Sequence, residues 1–187
     1  MTVTVKKPRL GLNDFPGIIL IDQREKLPYT YIDIPADVDE GGGTLNVKTS
    51  RCFLKTGDLS IFGHEKDGIT LERKSKNDLW RTISSERARF ERELERMQAF
   101  RRAFVLVECE LSELLIPPTW KKPNGEMVES KYSPKSLHRS ILAWEQRYPA
   151  VHWKFLPGRR ASEVVSCRIF DMYLMQVDRE YKENKDV

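Results

Sequence analysis

The sequence predicts a mixed β-sheet with helices packed on its faces, an α/β or α+β arrangement in a single domain. Three observations carry that expectation. Apolar runs of strand length recur along the chain, amphipathic helical stretches fall between them, and the run 103–108 arrives directly after a helical stretch, as a β-α-β crossover requires. Parallel pairing of the strands on either side of that helix follows.

Taken in order, residues 17–22, Gly-Ile-Ile-Leu-Ile-Asp, read as the first buried strand. Residues 35–43 offer little to a core, and Gly41, Gly42 and Gly43 read as a mobile loop, after which 44–55 hold another short strand. Leu59-Ser60-Ile61-Phe62 and Ile69-Thr70-Leu71 flank the turn-rich stretch 63–68 and predict a hairpin, with His64 in it close to the candidate site described below. Ser75 followed by Asp78 matches S-x-x-[DE], the signature of a helix start. Across 85–102, Phe90, Leu94 and Met97 recur at i, i+4 and i+7 among charged residues, giving an amphipathic helix. Residues 117–131 read as a loop. Ser133 and Pro134 then form an N-cap and N1 pair for a helix with Leu137, Ile141, Trp144 and Tyr148 on one face. Residues 151–155 are a short strand, and 162–181 form a last helix with Val165, Ile169, Tyr173 and Val177 at helical spacing. Trp144, Trp153, Phe155 and Phe170 are read as core. Residues 1–16 stand as an N-terminal extension, 17–182 as the domain and 183–187 as a tail.

Composition bounds the function. With 187 residues, 40% hydrophobic and 32% charged, the chain is of ordinary globular make-up and long enough to bury about two thirds of the surface of its unfolded form. The net charge of +4 suits a polyanionic partner without demonstrating one. Cys52, Cys109 and Cys167 form no C-x-x-C pair, which speaks against a disulfide framework or a zinc ribbon and for a reducing compartment. No stretch approaches the ~18 apolar residues of a membrane span, and a cytoplasmic location is expected. His64, His138 and His152 have no ligand spacing.

The chemistry gathers around the hairpin. Glu72 and Lys74 leave one face of their strand and Arg73 leaves the other. If the hairpin turns near Glu65 and Lys66, Asp58 lies almost opposite Glu72 and the two side chains can share a ligand. Mg2+ prefers a few carboxylates plus waters and phosphate oxygens, so Asp58 and Glu72 are candidate ligands for phosphodiester hydrolysis. Lys74 is placed to orient or help deprotonate a water, or to stabilise charge on the phosphate, and Asp22, at the end of another strand, is a candidate third carboxylate. E-x-K occurs four times, at Glu72, Glu129, Glu180 and Glu183, but only the first follows an apolar strand and has an aspartate one hairpin upstream.

Thr56-Gly57-Asp58 followed by Glu72-Arg73-Lys74-Ser75-Lys76-Asn77-Asp78 resembles the GD...ERKxxxD signature of XPF-type nucleases. Asp22-Gln23-Arg24-Glu25 resembles the D-x-R-E strand end of that family, and residues 89–94 resemble the helix after its motif in bacterial and phage members. The likeness spans about residues 18–108. It implies a restriction-endonuclease-like fold of the PD-(D/E)XK superfamily, Mg2+ with Mn2+ as a substitute, and flapped, forked or otherwise branched DNA as substrate. By the same resemblance Asp58 and Glu72 are metal ligands, Lys74 is catalytic, Arg73 and Asp78 belong to the motif, and Asp22, Arg24 and Glu25 support the site. Eukaryotic and archaeal relatives usually add a tandem helix-hairpin-helix module, which this sequence lacks. The grip on DNA is then expected from the domain's own surface, a homodimer contact or another protein.

Blander roles stand beside these. Asp78 is equally placed to cap its helix, and Arg73 without the motif reads as an ion-pair residue. The basic run of Arg81, Arg87, Arg89, Arg92, Arg96, Arg101 and Arg102 interleaves with Glu86, Glu91, Glu93 and Glu95, so a salt-laced solvated face explains it as well as phosphate tracking does. Candidate DNA contacts are Lys76, Arg81 and Arg87, with Lys121 and Lys122 in a stretch that also holds Trp120, Lys131, Tyr132 and Lys135. Two alternative functions remain open at this point: a catalytically silent DNA-binding or partner-binding domain, and a dimeric junction resolvase.

Overall fold

The computed structural model describes residues 13–36, 42–121, 123–130 and 132–185. In chain order the elements are β1 (Asp14–Asp22), β2 (Ile34–Pro35), β3 (Thr44–Cys52), β4 (Leu59–Ile61), β5 (Ile69–Lys74), α1 (Lys76–Thr82), α2 (Arg87–Met97), β6 (Arg102–Val107), α3 (Leu111–Leu114), β7 (Thr119–Lys121), β8 (Met127–Glu129), α4 (Pro134–Arg147), β9 (Val151–Phe155) and α5 (Gly158–Glu183). Seven strands form one sheet in the order β2-β3-β1-β4-β5-β6-β9. The pairing is mixed. β1 runs parallel to β3 and antiparallel to β4, β4 and β5 form the expected hairpin, and β5, β6 and β9 are parallel to one another.

Alternation along the strands divides the core in two. Ile21, Leu59, Leu71 and Leu106 point to one face, where they meet Cys167, Phe170 and Tyr173 of α5. Val105 and Val107 point to the other and meet Leu79, Phe90, Leu94, Met97, Leu137, Ile141 and Trp144 from α1, α2 and α4. The helical faces read from Phe90, Leu94 and Met97 and from Leu137, Ile141 and Trp144 are therefore buried where the spacing puts them. Trp153 and Phe155 are partly buried against that second cluster.

Several details differ from the sequence expectations: the two-residue β2 and the short α3 are unexpected, and α2 spans Arg87–Met97 where the expected helix covers 85–102, Arg102 opening β6 instead. β1 begins at Asp14, ahead of Gly17, with an irregularity in its pairing with β3 that breaks the alternation there. The expected loop 117–131 contains the small hairpin of β7 and β8, whose strands of three residues are too short to show a period. α5 starts at Gly158, and its buried face is Ser162, Glu163, Ser166, Cys167, Phe170 and Tyr173, leaving Val165 and Ile169 half-buried. Small and polar residues lie on that face because the helix packs close to the sheet and anchors a loop, a role that apolar spacing does not reveal. His64 lies at the far end of the β4–β5 hairpin from Asp58, with its Nδ1 3.0 Å from the Tyr173 hydroxyl, so the expectation that it borders the candidate site is corrected. The loop expected at 35–43 falls largely outside the described residues, as do residues 1–12. No helix among the described residues is long and apolar enough to cross a membrane.

The loop anchored by α5 is the segment between β1 and β2, where Tyr31 and Asp33 adopt positive φ values of 56° and 53°. The Glu163 carboxylate accepts the backbone N–H groups of Thr30 at 2.7 Å and Tyr31 at 2.6 Å, and pairs with Arg160 at 2.7 Å. Burial works against the charge, yet the Tyr31 N–H, Arg160 and Thr30 outweigh it and hold the Glu163 carboxyl below its usual value of 4.5. Glu163→Ala leaves the buried Tyr31 N–H unpaired and frees the more exposed Thr30 N–H to water, and is expected to lower stability by about 1–3 kcal/mol, or roughly 2–12 °C in Tm. For an acid with a depressed pKa, the contribution is full above 4.5 and is lost as pH falls through the folded value. Thermal melts of wild type and variant at pH 7 and pH 3 should therefore converge at the lower pH.

Candidate active site

Strand register assembles the acids. β1 pairs Ile21 with Leu59 of β4, and β4 pairs Leu59 with Leu71 of β5. One step further along, Asp22, Asp58 and Glu72 stand side by side across the end of three strands, with their side chains on the sheet face opposite α5. The Asp22 N–H donates to the Asp58 carbonyl and the Asp58 N–H to the Leu71 carbonyl, each at 2.8 Å. Gly57 turns the chain into β4 at φ 74°, and a Cβ there would stand 2.9 Å from the Leu71 carbonyl oxygen. Its N–H donates to Glu93 of α2 at 2.8 Å.

Within this row, Asp58 and Glu72 are the pair with chemical potential. One Asp58 oxygen accepts the Arg73 N–H at 2.8 Å. Burial and the neighbouring Glu72 charge push the Asp58 carboxyl well above the usual carboxylate range, against the pull of that N–H and of Lys74. The Lys74 ammonium donates to Glu72 at 2.7 Å, with side chains only 12% and 11% exposed, and lies 4.8 Å over the Phe90 ring. Burial opposes the Lys74 charge, but Glu72 and Asp58 prevail and its pKa is raised. A small recess opens on this face, lined by Glu72, Lys74, Thr82, Glu86, Arg89, Phe90 and Glu93.

The other residues singled out in the sequence are placed differently. The Asp22 carboxylate accepts Arg24 Nε at 2.7 Å, the Arg24 N–H at 2.8 Å and the Leu54 N–H at 2.8 Å, so it stands in the row with its oxygens engaged. Arg73 leaves the opposite face, where Glu108 at 2.7 Å, the Leu27 carbonyl at 2.9 Å and the Tyr29 ring at 3.9 Å enclose its guanidinium. Glu25 approaches Arg73 at 3.4 Å and accepts the Leu27 N–H at 2.8 Å. Ser75 caps α1 through the Asp78 N–H, and its hydroxyl donates to the Asp78 carboxylate at 2.6 Å, which gives Asp78 its capping role. Lys76 opens α1 and is half-buried. Arg81 pairs with Glu86 at 2.6 Å, while Arg87 is taken up by Glu91 at 3.0 Å, Ser140 at 3.0 Å and the Trp144 ring. Lys122 and Lys131, and the side chains of Lys121 and Trp120, lie outside the described residues.

Sequence reasoning passed over Glu86, Arg89 and Glu93 as site residues. They share one stripe of α2 with Phe90, at positions i, i+3, i+4 and i+7, and that stripe is where the buried face of the helix meets the sheet end. The signal was present in the spacing, but charge alternation along the helix concealed it.

Among the described residues no group of three or more His, Cys, Asp and Glu side chains is gathered as a metal-ligand set. The pair Asp58 and Glu72 nevertheless fits a hard divalent cation, which takes one or two carboxylates and fills its other positions with water and phosphate oxygens. The Asp58 carboxyl is raised first by its burial and then by the Glu72 charge beside it, and a bound cation would offset both. The turn before Asp58 is testable by itself. Gly57→Ala should cost more than the ~1–3 kcal/mol of a disfavoured backbone region alone, because its Cβ also collides with Thr70 Oγ1 and the Leu71 carbonyl oxygen, read as a lower denaturation midpoint.

The family model of the ERCC4 domain matches residues 21–165. The structure of XPF from Aeropyrum pernix resembles this one with a TM-score of 0.54 and 14% identity, over 90% of this chain and 69% of that one. XPF from Aeropyrum pernix in complex with DNA gives 0.47 and 18%, over 81% of this chain and 62% of that one. No curated protein sequence matches the chain. The first likeness shows the same fold, and the family match spans Asp22, Asp58, Glu72 and Lys74 with all of β4 and β5. The chain belongs to the ERCC4 domain family.

Proposed function

We propose that this protein is a metal-dependent DNA endonuclease that hydrolyses phosphodiester bonds in flapped, forked or otherwise branched DNA, with repair, replication or recombination as its setting. The observation that carries the reading is the pair of half-buried Asp58 and buried Glu72 at neighbouring register positions, with the Lys74 ammonium 2.7 Å from Glu72. Mg2+, or Mn2+ in its place, would supply there Lewis-acid stabilisation of phosphate charge and a more acidic water. Asp58 and Glu72 would hold the ion. The N–H of Arg73 keeps one Asp58 oxygen fixed, which orients the other. Lys74, kept protonated by its two acidic neighbours, serves as a cation facing the developing phosphate charge more readily than as a base. No residue of the pair acts as a covalent nucleophile in this reading.

Phosphate contacts are assigned to the rim of the recess. Arg89, with a side chain 78% exposed, lies there and is 4.0 Å from Glu86. Lys76 and Arg81 lie along α1, and Arg87, with its side chain 42% exposed, is held by Glu91, Ser140 and the Trp144 ring beside them. A second copy of the chain or a separate DNA-binding protein is proposed to add to the grip on duplex, and the bacterial or phage-infected cytoplasm is the proposed location.

Cleavage of labelled flap, fork, four-way-junction and plain duplex DNA in Mg2+, Mn2+ or EDTA tests the reading. Metal-dependent cutting is expected on branched substrates, with Glu72→Gln inactive and Lys74→Ala slower by about 10- to 100-fold or more. Binding without cutting under every condition would replace the nuclease by a silent DNA-binding domain. Asp58→Asn gives a second outcome. It removes one of two confined charges, so without divalent cation its Tm should exceed that of wild type. Mg2+ should then raise the wild-type Tm and leave that of the variant nearly unchanged, while DNA binding persists.

A further inference from the structure

The row that carries the two carboxylates ends, on its other side, at an exposed aromatic ring. Cys52 of β3 pairs with Asp22, so the sequence of neighbours across the sheet end is Cys52, Asp22, Asp58, Glu72. At ~4.8 Å per strand, the Cys52 backbone lies roughly 10 Å from Asp58 and roughly 14 Å from Glu72. Phe53 is the next residue, and it is 61% exposed.

The segment that presents this ring is held on both sides. The Asp22 carboxylate accepts the Leu54 N–H at 2.8 Å, and Arg24 Nη2 donates to the Leu54 carbonyl at 2.7 Å. The same guanidinium is gripped by Asp22 at 2.7 and 3.0 Å, and this clamp sets it 4.8 Å over the Phe53 ring. Arg24 remains 60% exposed along its side chain. Phe62 is as exposed as Phe53, yet among the described residues it carries no cation or ring contact.

We propose that Phe53 and Arg24 form a stacking platform for an unpaired nucleobase of the DNA strand that is cut at Asp58 and Glu72, an inference that rests on the nuclease reading above. A planar apolar face beside a fixed, exposed guanidinium matches a nucleotide, whose base stacks on the ring while its phosphate meets the cation. Bases inside a duplex are already stacked and paired, so the platform takes its base from a single-stranded arm. Duplex DNA has one phosphate per strand every ~3.4 Å along its axis and an unpaired strand extends further, so the span from Phe53 to the carboxylates corresponds to at most roughly three or four nucleotides. The preferred substrate therefore has a single-strand to duplex boundary within a few nucleotides of the cut.

The experiment uses the full chain with forked DNA carrying a single 2-aminopurine at successive positions of the unpaired arm. Binding is read in EDTA by fluorescence quenching, and cleavage in Mg2+. Wild type should quench at one position about two to five nucleotides from the cut, and Phe53→Ala should lose that quenching. The same variant should bind the fork or cleave it about 5- to 150-fold less well, the effect of losing one aromatic–base stack, with the salt dependence of binding unchanged because no charge is removed. Phe53→Trp should restore both. If Phe53→Ala quenches, binds and cleaves as wild type does, the platform is excluded while the nuclease reading stands. Position-specific quenching lost in Phe53→Ala, without metal-dependent cleavage by wild type, would keep a base-stacking surface at Phe53 and remove both the nuclease and the cut strand assigned to it. Absence of DNA binding by wild type would remove both.

Discussion

The hydrogen bond from the Asp22 N–H to the Asp58 carbonyl, with its counterpart from the Asp58 N–H to the Leu71 carbonyl, sets the register of three strands at once. Side chains alternate with a period of two, so a slip of one residue would turn Asp58 away from Glu72 and drive a carboxylate into the apolar cluster under α5. Everything else at the site follows from that register. Glu72 and Asp58 become neighbours, Lys74 falls on the same face as Glu72, and Arg73 is sent through to the other side of the sheet.

Two opposed charge clusters therefore sit back to back across β5. On one face the carboxylates and Lys74 lie beside a small recess, and the pKa of the Asp58 carboxyl is raised by burial and by Glu72. On the other, Arg73 is enclosed by Glu108, Glu25 and the Tyr29 ring, and Arg159 approaches Glu108 at 3.6 Å. A buried arginine without partners is costly, whereas one with carboxylates and a ring is tolerated and specifies a unique arrangement. Arg73 thus ties β5 to the β1–β2 loop that α5 also holds through Glu163, and the strand bearing the site is braced from behind.

Much of this was legible in the linear sequence. The apolar runs around Ile19, Leu59, Leu71 and Val105 declare themselves as strands, and the symmetry of the hairpin about its turn places Asp58 opposite Glu72 by counting alone. The capping role of Asp78 and the buried stripe of α2 are likewise local facts, because capping and amphipathicity depend on residues three or four apart. The fate of Arg87 was not legible, since its partners Ser140 and Trp144 come from a helix some fifty residues away. Nor was the rotation of the α5 face, whose buried residues include Ser162, Glu163 and Ser166 in place of the apolar set suggested by spacing.

Period, capping and hairpin symmetry are short-range properties, so the sequence by itself determined the longer strands of the main sheet, the longer helices and the meeting of Asp58 with Glu72. The tertiary structure alone decided which charges are spent on other charges. It committed Asp22 to Arg24 and Leu54, sealed Arg73 behind the sheet, brought Glu86, Arg89 and Glu93 to the recess, and left the Phe53 ring outward under Arg24. Pairing of charges is a matter of distances between segments remote in sequence, and only packing sets those distances.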